Sequence, residues 1–207
     1  MGCNGLREVN VADVRAAIKK LCVSANCNVP RETIAALERA LENEESPVGR
    51  EILKQILENH RIARDEGVPA CQDTGVAMVF VEVGQDVHFV GGDLYAAIND
   101  GVRQGYTEGY LRKSIVNDPL FRRVNTGDNT PAVVYVDIVP GTQVKITVAP
   151  KGGGAENMSG VAMLTPAAGV EGVKRFVVER VEKAGSNPCP PAVVGVGIGG
   201  PFDRVAL

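Results

Sequence analysis

Histidine is nearly absent from this sequence. His60 and His88 are the only two in 207 residues. A hydrolase built on a nucleophile, an imidazole base and an orienting carboxylate needs a histidine beside its nucleophile, and these two support no such arrangement. His60 falls near the C-terminal end of a predicted helix, where a positive charge is favourable. His88 falls in a predicted strand. Long apolar runs are missing too, and with no stretch of eighteen there is no candidate membrane span. The opening "MGCNGLREVNVADV" turns charged at once and has no apolar segment of the kind a secretory signal carries. It places Leu6 where N-myristoylation wants Ser or Thr. A strong charge of either sign is absent. The net charge of −3 gives no reason to expect nucleic acid or an anionic membrane as partner.

A disulfide pattern is also lacking. Cys3, Cys22, Cys27, Cys71 and Cys189 are widely scattered. An odd number without a signal peptide points to a reducing cytoplasm, where cysteines are buried fillers, catalytic thiols or metal ligands. Cys22 and Cys27 have part of a ligand spacing, but Cys22 lies on an apolar helical stripe, which favours burial. Cys3 falls in a terminal tail.

What is present is an ordinary globular composition, 44% hydrophobic and 23% charged, in a chain long enough for one or two domains. The first 67 residues read as helical. "VADVRAAIKKLCVSA" puts Val11, Val14, Ile18, Leu21 and Cys22 on one stripe, with Asn10 as cap. "PRETIAALERAL" opens at Pro30 and turns Ile34, Leu37 and Leu41 inward. A third helix runs from Ser46 and Pro47 to Gly67, with Val48, Ile52 and Ile56 plus Leu53 and Leu57 as its apolar face. "VAMVFVEVG" (76–84) is a strand, and "VHFV" (87–90) extends or pairs with it. Residues 93–111 return to helix, weakened by glycines. "PAVVYVDIV" and "TQVKITVA" are predicted to pair as a hairpin through Pro140-Gly141. A helix over 166–185 and a last buried strand in "PPAVVGVGIGG" follow. The fold class is α+β: N-terminal helices, then mixed-sheet strands with interspersed helices. The chain is expected to form a single domain over 1–207. Its final "GGPFDRVAL" begins a helix with nothing to complete it, so the polypeptide is expected to continue.

Several stretches carry chemistry. Gly195, Gly197 and Gly200 satisfy G-x-G-x-x-G after a predicted strand. A dinucleotide site also needs a βαβ unit and an acidic residue about 20 positions on, so close packing or another ligand loop competes with that reading. In "KGGGAENMSG" three glycines beside Lys151 can form an anion-binding nest or a flexible turn. Cys71 in "VPACQDTG" and Cys189 in "SNPCPPAVV" sit in proline-flanked loops, each ahead of an apolar segment. They are either metal or iron–sulfur ligands or coincidental buried thiols.

"VPACQDTG", the long string from "GGDLYAAINDGV" through "YLRKSIVNDPLFRRVNTGDNTPAVVYVDIVPG", and "KGGGAENMS" together resemble the α subunit of class I, iron–sulfur fumarate hydratases. The related L-tartrate dehydratase α subunits look similar. The resemblance implies a [4Fe–4S] hydro-lyase of the tricarboxylic acid cycle that works with a β subunit, in an oligomer, on a small dicarboxylate. It assigns Cys71 and Cys189 as cluster ligands, with a third cysteine expected beyond Leu207. Asp73 and Thr74 would be catalytic. Gln72, Asp73, Arg112, Gly153 and Gly154 would bind substrate. No turnover is expected from the 207-residue chain alone. A dinucleotide-binding or non-catalytic module is the alternative of another class.

Overall fold

The computed structural model describes residues 5–207. Cys3 and the first residues of the N-terminal motif lie outside the described residues. The α+β class holds, with five strands, seven α-helices and a 3-10 turn among the described residues. The chain divides into two compact units, residues 1–151 and 152–207.

The first unit opens with β1 (Arg7–Asn10), a strand absent from the sequence reading, which runs directly into α1 (Val11–Cys27). The Asn10 side chain accepts from the Ala12 N–H at 2.9 Å and so caps α1. Two helices follow, α2 (Arg31–Asn43) and α3 (Pro47–Glu66). Gly67 ends α3 with a left-handed backbone at φ 67°. Next come β2 (Val76–Gly84), β3 (Val87–Val90), α4 (Leu94–Glu108), β4 (Val133–Val139) and β5 (Val144–Lys151).

The predicted hairpin is not formed. The three-stranded sheet has the order β4-β2-β5, with β2 parallel to β4 and antiparallel to β5. The "PG" turn is real, but it wraps the end of β2 instead of joining neighbours. Gly84 N–H donates to Gln143 O, and Gln85 N–H donates to Val139 O. A Cβ on Gly84 would stand 2.3 Å from Gly141 O, so this crossing needs a glycine. β2 takes the centre because it is apolar on both faces, the property of an interior strand. β3 does not pair with β2 either; it lies parallel to β1 in a separate two-stranded sheet.

One face of the sheet carries Ala77, Val79 and Val81 from β2, all buried. They form one core with Val14, Ile18 and Cys22 of α1 and Ile98, Val102 and Tyr106 of α4. The glycines of α4 have a purpose the sequence reading missed. A Cβ on Gly101 would meet Arg15 O at 2.7 Å, and one on Gly105 would meet Cys22 Cβ at 2.8 Å. Small residues one turn apart therefore let α1 and α4 approach closely.

The predicted apolar face of α3 is corrected. Val48 is 68% exposed and Ile52 50%, whereas His60 and Ala63 are the buried positions. α2 and α3 pair mainly with each other, which leaves the N-terminal half of α3 uncovered. His60 is not a solvated cation at a helix end. It is buried, neither ring nitrogen has a hydrogen-bond partner, and burial holds its pKa below the usual histidine value.

In the second unit, α5 (Gly153–Glu156) is a single turn. A 3-10 turn (Pro166–Ala168) leads into α6 (Gly169–Ala184), and α7 (Phe202–Ala206) closes the described chain. The expected strand in "PPAVVGVGIGG" is not formed. Val193, Val194, Val196 and Ile198 are exposed and lie in no strand. An apolar run becomes a strand only where a neighbour offers a ladder. G-x-G-x-x-G therefore lacks the strand its dinucleotide reading requires.

Candidate active site

The loop over 70–75 is held at both ends, and the hold begins with Ala70. Its N–H donates to Asn26 O near the end of α1 at 3.0 Å, and its carbonyl accepts from Asn59 Nδ2 of α3 at 2.7 Å. At the other end, Tyr106 of α4 donates its hydroxyl to Thr74 O at 2.7 Å. Asn129 donates from Nδ2 to Gly75 O at 3.0 Å. Cys71, Gln72 and Asp73 lie between these anchors.

The intervening groups are mutually arranged. The Asp73 N–H points at Cys71 Sγ at 3.4 Å, and the Cys71 thiol lies 3.4 Å from Gln72 Oε1. An amide directed at sulfur is a contact of the kind that orients metal-bound thiolates. Asp73 Oδ1 accepts from the Gly75 N–H at 3.2 Å, which turns the chain into β2. Gln72 is exposed, while Cys71 and Asp73 are half-buried. Cys22 lies in the core, where burial pushes its thiol up to about 12. It remains a protonated core side chain, as the sequence suggested.

Thr74, expected to be catalytic, closes the loop on its inner side. It is 2% exposed, and its hydroxyl donates to Arg112 O at 2.9 Å. Its visible work is to tie the cysteine loop to the segment carrying Arg112. Arg112 itself is exposed, and no hydrogen bond or ion pair engages its guanidinium among the described residues.

In the second unit, Gly154 packs against the Asn187–Pro188 segment that precedes Cys189. A Cβ on Gly154 would lie 2.3 Å from Asn187 O. Asn187 Nδ2 also donates to Ala184 O at 3.0 Å, joining this segment to the end of α6. The glycine loop and the Cys189 loop are thus built together. The glycine triplet has no positive-φ residue and enters the α5 turn, so it does not take the alternating backbone of a nest. Sequence reasoning also missed Asn26, Asn59, Tyr106 and Asn129. Their only signal was polarity at buried or helical positions.

The family model described as Fumarate hydratase (Fumerase) matches residues 15–207. The chain belongs to this family. A protein of Methanocaldococcus jannaschii named "Putative L(+)-tartrate dehydratase subunit alpha" is 39% identical over 204 residues, covering 96% of this chain and 70% of that one. The L(+)-tartrate dehydratase subunit alpha of Escherichia coli strain UTI89 is 35% identical, and that of strain K12 is 34% identical. Each match covers 86% of this chain and 59% of the relative. The chain thus spans well under two thirds of the length of the Escherichia coli relatives. Both enzyme names describe hydro-lyases, so the chain belongs to a hydro-lyase family.

The fumarate hydratase resemblance implies an iron–sulfur cluster, and the donor set can be tested against it. Cys71, with an amide aimed at its sulfur, suits a thiolate ligand. Among the described residues, however, no three His, Cys, Asp or Glu side chains gather closely enough to hold a metal ion. The described residues do not complete a ligand set. No described helix is long and apolar enough to cross a membrane.

Proposed function

We propose that this chain is the α subunit of an iron–sulfur hydro-lyase that reversibly adds water to fumarate to give (S)-malate. The observation that carries the reading is the loop of Cys71, Gln72 and Asp73, anchored at both ends and tied through Thr74 to the segment bearing Arg112. Cys71 and Cys189 would each be a thiolate ligand of a [4Fe–4S] cluster whose remaining ligand lies outside the described residues. When bound, such a cluster supplies an open iron as Lewis acid.

The roles of the chain's own side chains follow from their chemistry. Arg112 presents a planar fork of N–H donors suited to one substrate carboxylate. Asp73 moves the proton at the substrate carbon, because a carboxylate at an anchored loop stays within reach of one atom. Gln72 offers both a donor and an acceptor to a substrate oxygen. Gly153 and Gly154 offer backbone N–H groups. Thr74 would be catalytic beside Asp73, and its hydroxyl also holds Arg112 in register. A β subunit supplies the opposing groups, in keeping with the relatives' names as α subunits. The setting would be the cytoplasm, and the fumarate reaction would place the enzyme in the tricarboxylic acid cycle.

L-tartrate dehydration is the second reading, favoured by the relatives' names. The test is turnover of fumarate, (S)-malate and L-tartrate by the anaerobically reconstituted αβ complex, side by side with Arg112→Lys. Fumarate turnover that falls by about 10²-fold or more in the variant supports the first reading. Turnover of L-tartrate alone moves the assignment to the second. No turnover of any diacid removes both.

A further inference from the structure

Asn129 is polar, fully buried and has a left-handed backbone at φ 61°. A buried side-chain amide must satisfy both a donor and an acceptor. Asn129 does so by reaching two separate segments. Its Oδ1 accepts from the Ser114 N–H at 2.7 Å, and its Nδ2 donates to Gly75 O at 3.0 Å. Asparagine is one of the few residues that tolerates this backbone, and its planar amide offers one donor edge and one acceptor edge. Aspartate would place an oxygen against the Gly75 carbonyl.

Tyr106 supplies the second clamp. Its ring is in the core at 1% exposure, and its hydroxyl donates to Thr74 O. Thr74 in turn donates to Arg112 O. Residues 74–75 and 112–114 are therefore joined by a closed set of hydrogen bonds with Asn129 at its centre.

The loop bearing Asn129 is itself braced. Asp128 accepts from the Thr130 N–H at 3.0 Å and from its hydroxyl at 2.8 Å, and pairs with Arg103 at 2.8 Å. Asn125 Nδ2 donates to Lys113 O at 2.9 Å. The bracket is thus mounted on supports that do not depend on the cysteine loop.

We propose that Asn129 and Tyr106 are positioning residues that fix Asp73 and Arg112 relative to each other, so that a diacid bound at its carboxylate presents its reacting carbon to the acid–base group. Neither residue need touch substrate. Displacement of a catalytic group by about 1 Å can cost about 10²-fold in rate, which is the reason to invest buried hydrogen bonds in holding the distance. The functional half rests on the hydro-lyase reading; the mechanical half does not.

Both halves are tested with Asn129→Gly and Tyr106→Phe. The glycine keeps the left-handed backbone without strain while removing both amide bonds. The phenylalanine keeps the ring buried. Val102→Ala, in the same core but outside the bracket, serves as comparison for general loosening. Hydrogen exchange by mass spectrometry on the whole chain reads the mechanical half. The expected result for Asn129→Gly is exchange about ten-fold faster in both 70–77 and 111–117, with Val102→Ala changing neither selectively. Acceleration confined to 125–131, or an identical pattern in Val102→Ala, overturns the bracket. Steady-state kinetics of the αβ complex read the other half: both variants should raise KM for the diacid and lower kcat, whereas Val102→Ala should leave that pair unchanged. If the wild-type complex turns over no diacid, the hydro-lyase reading fails and exchange still decides the bracket. If the wild type is active and both variants keep kcat and KM within about two-fold, the positioning role is refuted.

Discussion

Substituting Gly105 by alanine sets two well-understood effects against each other. Within a helix, alanine is favoured over glycine by about 1 kcal/mol. On propensity alone, Gly105→Ala should stabilise α4. The packing argues otherwise. The new Cβ would stand 2.8 Å from Cys22 Cβ and 3.0 Å from Lys19 O. Carbon atoms rest at about 3.5–4.0 Å, so α1 must retreat by roughly 0.7–1.2 Å. Neither neighbour can rotate away, since one is a Cβ and the other a backbone oxygen. Overpacking of this kind costs about 1–3 kcal/mol. The seam that opens holds Val14, Ile18, Ile98 and Val102, all buried. The net expectation is destabilisation of up to about 2 kcal/mol. Gly49→Ala supplies the contrast. Its Cβ would meet only the Glu44 side chain, Cδ at 2.7 Å and Cγ at 2.9 Å, which can turn aside at the loss of one exposed bond from the Ser46 N–H. That variant should change stability by less than about 0.5 kcal/mol. Urea unfolding followed by circular dichroism measures both. Tyr106 follows Gly105 directly, so the same retreat should speed amide exchange over 70–77. A Gly105→Ala protein as stable as wild type, or more stable, refutes the close-packing argument.

His60 gives a pH prediction. Its pKa is lowered by burial, so the unfolded chain binds its proton more readily. Stability is unaffected above the unfolded value of about 6.5 and falls as pH drops below it. The wild type should therefore lose stability relative to His60→Leu between pH 7.5 and 5.5, and a pH-independent difference counts against it. Gly154→Ala would place a Cβ 2.3 Å from Asn187 O. It should part the α5 turn from the Cys189 loop at a cost of about 1–3 kcal/mol, read as faster amide exchange over 185–190. Unchanged exchange there would show that the contact is slack.

The helices were legible because their signals are local. Asn10 and Gly67 act as the start and stop signals suggest, and the buried stripe of α1 follows its 3.6-residue period. Strand pairing was not legible, because it depends on which edge a neighbour presents. Alternating apolar residues and a proline-glycine turn describe β4 and β5 equally well as a hairpin or as the two flanks of β2. The exposed run over 193–198 shows the same limit from the other side, since apolar residues without a ladder form no strand.

The site divides along the same line. Cys71, Gln72, Asp73 and Arg112 stand out because reactive and charged side chains announce themselves by type. Tyr106 and Asn129 do not, because their contribution is distance. A tyrosine among the apolar positions of α4 reads as core, and an asparagine before threonine and proline reads as turn. Only their partners, the carbonyls of Thr74 and Gly75, connect them to the loop. Thr74 shows the converse. Its place in "CQDTG" suggests chemistry, and its hydroxyl also holds Arg112 O, a task the motif does not reveal. A resemblance transfers residue identities, whereas the division between groups that react and groups that hold them is visible only in hydrogen-bond partners. That division predicts different failures. Loss of a reacting group should leave amide exchange in the bracket unchanged, while loss of a holding group should raise exchange and impair turnover together.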